Sequence, residues 1–139
     1  MGLIKANIEL FNSYDLISFK KGKIPKNQIK KIKVEALVDT GAYMLCINEK
    51  IFHQLELEII DTRPAQLADG SIRELDVAGP VELHFANRRT ITQALILPGD
   101  SQVLLGSIPL EDLDVIIEPK TQKLMVNPES PNFATTILK

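Results

Sequence analysis

The sequence predicts an all-β fold with few helices, and three observations carry that reading. Its apolar segments are short, they are rich in Ile, Val and Leu, and turn residues separate them. Residues 4–11 alternate loosely, with Asn7 and Glu9 opposite Ile8 and Leu10, and Asn12-Ser13-Tyr14-Asp15 then forms a turn-like cluster. Residues 34–38 read as a strand. Asn48, Glu49 and Lys50 can cap a short helix through Leu55, which would set Ile51, Phe52 and Leu55 on one face. Residues 66–76 read as a hairpin about Asp69-Gly70, a dipeptide that tolerates the positive φ angles of a type I′ turn. Beyond Gly79-Pro80, residues 81–85 alternate as Val-Glu-Leu-His-Phe and residues 90–97 return as their partner. Two last strands, 115–117 and 124–126, flank a turn at Glu118-Pro119-Lys120-Thr121.

Composition narrows the function classes. A chain of 139 residues is one domain, yet small enough for an obligate partner to be unsurprising. Net charge −2 and a pI of about 5.7 give no global field that favours nucleic acid. One cysteine cannot form an intrachain disulfide, and no Cys/His spacing fits a metal, so neither metal nor cofactor is expected. The start, Met1-Gly2-Leu3-Ile4-Lys5-Ala6, lacks the apolar stretch of a signal peptide, and Ala6 stands where a myristoylation motif needs Ser or Thr. No run reaches membrane-spanning length. The expectation is a cytoplasmic protein with no membrane or nucleic-acid partner.

The segment that carries chemistry is Asp39-Thr40-Gly41-Ala42, between the apolar runs Ala36-Leu37-Val38 and Met44-Leu45-Cys46-Ile47. Burying a carboxylate is costly unless hydrogen bonds or a partner support it, so an acid at the end of an apolar strand points to a rigid turn built around it. The bland reading is a turn carboxylate satisfied by backbone donors. Residues 34–47, Val-Glu-Ala-Leu-Val-Asp-Thr-Gly-Ala-Tyr-Met-Leu-Cys-Ile, resemble the active-site segment of the retroviral-like aspartic proteases. A second element of that family, two apolar residues, Gly and a short helix, is matched by Val103-Leu104-Leu105-Gly106 and residues 109–113. The turn Asn87-Arg88-Arg89 resembles the family's hairpin after the long post-flap strand, and counting back puts the flap tip at Asp69-Gly70, flanked by Ala68 and Ser71. The resemblance spans roughly residues 31–126.

The resemblance implies a closed, mostly antiparallel barrel of the retropepsin type. One short helix would follow the Leu-Leu-Gly motif, and another could follow the active-site loop. It implies a homodimeric aspartic endopeptidase acting on a peptide or protein substrate. One chain holds a single Asp-Thr-Gly, so two-fold pairing must bring Asp39 of each subunit together. By resemblance Thr40 would hydrogen-bond across the interface, and Leu104, Leu105 and Gly106 would pack behind the loop. Gly41 carries no side chain to obstruct dyad and substrate. Ala42, in place of the Ser of pepsin-like sites, implies work at less acidic pH. Tyr43 and Ser107 stand where many retroviral enzymes place an Asp and an Arg. The alternative is an inactive dimerisation or peptide-binding module on the same fold; a third reading is a nucleic-acid accessory domain using the lysines of residues 19–33, a run more often a solvated loop. The tail, residues 127–139, reads either as a frayed end or as a dimer contact anchored by Phe133, Ile137 and Leu138. His53, His84 and Cys46 read as helix, strand-surface and buried apolar positions, and Glu111, Asp112 and Asp114 as solvated charge.

Overall fold

The computed structural model describes residues 3–138; Met1 and Gly2, read above for targeting signals, and Lys139 of the tail lie outside the described residues. Strands dominate. Strand β1 (Lys5–Asn12) puts Ala6, Ile8 and Leu10 into the core and pairs antiparallel with β2 (Lys31–Val38). Strand β3 (Leu45–Asn48) is buried throughout, and β4 (Glu58–Gln66), β5 (Ile72–Phe85) and β6 (Arg88–Leu97) form an antiparallel meander. The two-residue strand β7 (Leu104–Leu105) is followed by a separate hairpin, β8 (Val115–Glu118) with β9 (Lys123–Val126). The main sheet runs β1-β2-β7-β3-β6-β5-β4, and β1 also pairs with β5, so the ladder returns on itself and leaves β4 as its free edge. Leu10, Leu45, Ile47, Leu83, Leu105 and Leu113 fill the space inside, all fully buried.

Strand β5 is continuous where the sequence reading divides it at Gly79-Pro80. Residues up to Gly79 pair with β4 and residues from Val81 pair with β1, with a register shift between Ala78 and Val81. Pro80 lacks an N–H for any ladder, so it fits where the strand changes partners. Pro64 is tolerated for a related reason, since β4 has a neighbour on one side only.

Three α-helices accompany these strands among the described residues. Helix α1 (Ser13–Lys20) replaces the expected turn at residues 12–15: the Asn12 side-chain oxygen Oδ1 accepts from the Asp15 N–H at 3.2 Å, which is an N-cap. It ends on Gly22 (φ +73), with Gly22 and Lys23 donating back to Phe19 and Ser18. Helix α2 (Glu49–Gln54) is capped as expected, Asn48 accepting from the Ile51 N–H at 2.9 Å, with Ile51 and Leu55 buried. Helix α3 (Ser107–Leu113) follows Gly106 and buries Pro109, Leu110 and Leu113. The lysine run is therefore not one solvated loop. Lys20 ends α1, a 3₁₀ turn covers Lys26–Gln28, Lys31 and Lys33 belong to β2, and Lys30 pairs with Asp15 and Glu56.

Two turns differ from expectation. At the β4–β5 hairpin only Gly70 has positive φ (+87), whereas a type I′ turn requires two such residues. Leu67 donates to Ser71 and Gly70 donates to Leu67, which makes a three-residue loop, a tight turn closed by a left-handed glycine. The next hairpin turns on Ala86 and Asn87, with Phe85 opposite Arg88, so Arg88 and Arg89 are strand residues. Arg88 is 2% exposed.

Candidate functional site

Asp39 stands at the end of β2, half-buried, where three strand ends meet. Strand β7 runs parallel to β2 (Leu37 with Leu104, Val38 with Leu105) and pairs with β3 through Cys46 and Leu104. It therefore wedges between the strand that enters the acidic loop and the strand that leaves it. The Asp39 N–H donates to the Leu105 carbonyl at 3.0 Å, the Gly41 N–H donates to the Asp39 carboxylate at 3.0 Å, and the Ala42 N–H donates to the Asp39 carbonyl at 3.1 Å. The loop is tied from behind. Ser107 and Ile108, at the start of α3, donate to the Ala42 and Tyr43 carbonyls at 2.9 and 3.0 Å. A Cβ on Gly106 would lie 2.4 Å from the Met44 carbonyl oxygen and 2.8 Å from that of Ala42, so no larger residue fits this backbone contact. At Gly41 a Cβ would come within 3.2 Å of the Asp39 carboxylate.

In front of the loop is a cavity of about 640 Å³. Asp39, Gly41, Ala42 and Leu104 line it on one side, and residues 63–68 of the β4–β5 hairpin line it on the other. Leu75, Leu95 and Leu97 supply apolar wall. Of the candidate flap residues only Ala68 borders this space. Asp69, Gly70 and Ser71 form the exposed tip, where Asp69 accepts from the Ser71 N–H and hydroxyl at 2.9 and 2.5 Å; those two bonds hold its carboxyl below the usual range. Thr40 and Gly41 are exposed, Tyr43 is 66% exposed, and Leu105 and Gly106 lie behind the loop. Asp39 is the sole carboxylate among the described residues lining the cavity. Cys46 also borders it; burial, then the Asp39 charge, pushes its thiol up to about 11.

Sequence reasoning missed Arg63, the other charged residue on the cavity, whose Nη1 lies 3.0 Å from the Met44 sulfur. Its position six residues before the hairpin tip on an edge strand was the available signal. It also missed a polar hub beneath the tail. Arg88 donates to the carbonyls of Asp114 and Ser130, and Asp114 accepts from Ser130, Asn127 and the Thr135 N–H. Those bonds, with Arg88 nearby, pull the Asp114 carboxyl down to about 2. Of the acids read as solvated, Asp114 is thus a tether, whereas Glu111 and Asp112 are exposed. His84 bonds Glu82 at 2.7 Å and stacks near Phe11. Among the described residues no group of three His, Cys, Asp or Glu is placed to hold a metal, and no helix is long and apolar enough to cross a membrane.

None of the curated proteins matches the chain. The family model described as gag-polyprotein putative aspartyl protease matches residues 26–112, a span that holds the Asp39 loop, the β4–β5 hairpin and Gly106 with most of α3. This match covers more than half of the sequence and falls on the elements that build the cavity, and the chain belongs to this retroviral-like family of aspartyl proteases.

Proposed function

We propose that the protein is an aspartic endopeptidase whose site is completed by a second copy of the same chain. The observation that carries this reading is the single carboxylate, Asp39, on a cavity otherwise suited to a peptide. Activating water without a metal calls for an acid and a base together, and the second carboxylate comes from Asp39 of the partner across a two-fold axis. Exposure of Thr40 and Gly41 supports this, because a loop edge free of its own fold is available for pairing. Two carboxylates about 3 Å apart cannot both ionise, so the pair shares one proton, as aspartic dyads do. One oxygen takes a proton from the water while the protonated mate donates to the peptide carbonyl, giving a gem-diol with no covalent intermediate. The ring of strand pairings is read as the closed retropepsin-type barrel, residues 68–71 as the flap tip, and the chain as one domain with its core at about 31–126.

Thr40 bonds across the interface in this account, and Leu104, Leu105 and Gly106 hold the loop for catalysis. The exposed Phe133, Ile137 and Leu138 of the tail add apolar dimer contacts. The free edge of β4 supports a substrate bound as an added strand under the flap, in a cytoplasmic setting. The test is cleavage of a mixed peptide library between about pH 4 and 7 by wild type and Asp39→Asn. Cleavage by wild type that disappears in the variant, with fold and dimer retained, is the expected result. Cleavage that persists would make Asp39 structural, and cleavage by neither protein would favour a peptide-binding module.

A further inference from the structure

Residues 63–68 border the cavity, and along the end of strand β4 Arg63 and Ala65 are half-buried while Pro64 and Gln66 are exposed. Arg63 is therefore on the inward side of the strand. A guanidinium has five N–H donors and no acceptor, and removing it partly from water without an anion is unfavourable. Here its side-chain contact is the Met44 sulfur, a weak acceptor, and among the described residues no carboxylate pairs with it. Among the described residues the charged side chains that do pair stand away from this cavity. Asp39 is the remaining charge on its wall, and the rest of the lining is apolar or neutral.

Resting on the protease reading, we infer that Arg63 is a specificity-determining residue that receives a carboxylate side chain of the substrate. Substrates then carry a Glu or Asp near the scissile bond, with aliphatic neighbours for the wall formed by Leu75, Leu95, Leu97 and Leu104. The planar fork of Arg63 can meet both oxygens of a carboxylate, a match that an amide reproduces poorly. A guanidinium already held against Met44 also has less freedom to lose on binding.

The experiment uses peptides with both ends blocked, and their unblocked twins, identical except for Glu, Gln or Lys scanned through positions flanking an aliphatic scissile pair. Wild type should cut the best Glu peptide on the order of tenfold more efficiently, by kcat/KM, than its Gln twin. Arg63→Met should bring that ratio near one, and Arg63→Glu should shift preference to the Lys peptide. Thermal melts of each variant check the fold. Binding of the same peptides to Asp39→Asn protein, read by fluorescence anisotropy, separates this inference from the protease reading. A Glu preference in binding that Arg63→Met abolishes supports it even if no peptide is cut. Equal handling of Glu and Gln peptides by active wild-type enzyme, or a ratio unchanged in Arg63→Met, overturns it and leaves the protease reading standing. Failure of every peptide to bind also overturns it. Dependence on Arg63 seen only with unblocked peptides would assign the carboxylate to a chain end, against the side-chain assignment.

Discussion

Gly106 is the residue at which loop geometry and chain identity are most tightly joined. Its missing Cβ lets α3 approach the backbone of Ala42 and Met44, and the carbonyls that a methyl would strike belong to the acidic loop itself. Gly106→Ala is therefore expected to cost about 1–3 kcal/mol, measured by urea unfolding, and to lower activity beyond that loss because the Asp39 loop must move. Leu105→Ala removes a fully buried side chain behind the same loop and should cost about 2–5 kcal/mol by the same measurement. Cys46 gives a chemical check. With its thiol pushed up to about 11, almost none is thiolate at neutral pH, so alkylation by iodoacetamide should be slow until the protein unfolds. Fast labelling of native protein would contradict that burial. Gly106 was legible in the sequence because a backbone contact that forbids a side chain leaves glycine behind at a fixed place after the apolar pair. Arg63 and Arg88 were not, since an arginine reads as surface until its tertiary neighbours are known; the turn assigned to Asn87-Arg88-Arg89 in fact ends before Arg88, which is buried.

Among the elements, the tail differs most from what sequence alone conveys. Residues 127–135 are joined to Arg88 and Asp114, and Asn87 donates to the Pro131 carbonyl at 2.8 Å. Asp114 has its folded pKa lowered to about 2, so its contribution to stability is fully present above the ordinary carboxylate value of about 4 and is lost as pH falls towards 2. Asp114→Asn should weaken the tail tether, expose residues 127–135 to faster hydrogen exchange, and flatten the acid-unfolding profile between about pH 4 and 2. An unchanged profile would show that Asp114 does not couple the tail to the body. Helix α1 escaped the reading because Asn12-Ser13-Tyr14-Asp15 suits both a turn and an N-cap. Its Tyr14, Ile17 and Phe19 are partly exposed, so no apolar stripe marked it as helical. Helices α2 and α3 were legible because Asn48 and Pro109 stand next to residues that become buried. Charge reversal of Lys20, Lys21 and Lys23, which lie at the end of α1 and just beyond it, should leave peptide turnover in place. Its loss with the dimer intact would assign those lysines a role in the site.

For the molecule as a whole, strand composition gave the β class, but the ring required information that no local pattern holds. The pairing of β1 with β5 joins residues 9–12 to residues 81–84, and the parallel pairing of β7 with β2 joins a two-residue strand to the start of the acidic loop. Such long-range partners follow from closure of the sheet rather than from alternation. The central claim, that each site takes one Asp39 from each of two chains, is tested most directly by mixing. Wild type and Asp39→Asn are co-refolded at equal amounts and fixed total concentration, and cleavage is compared with wild type alone. If both carboxylates are required, random pairing leaves about one quarter of the dimers competent, so activity should fall to about one quarter. Activity that falls only to about one half, in proportion to the wild-type subunits present, would mean that each chain works with its own Asp39 and would contradict the account.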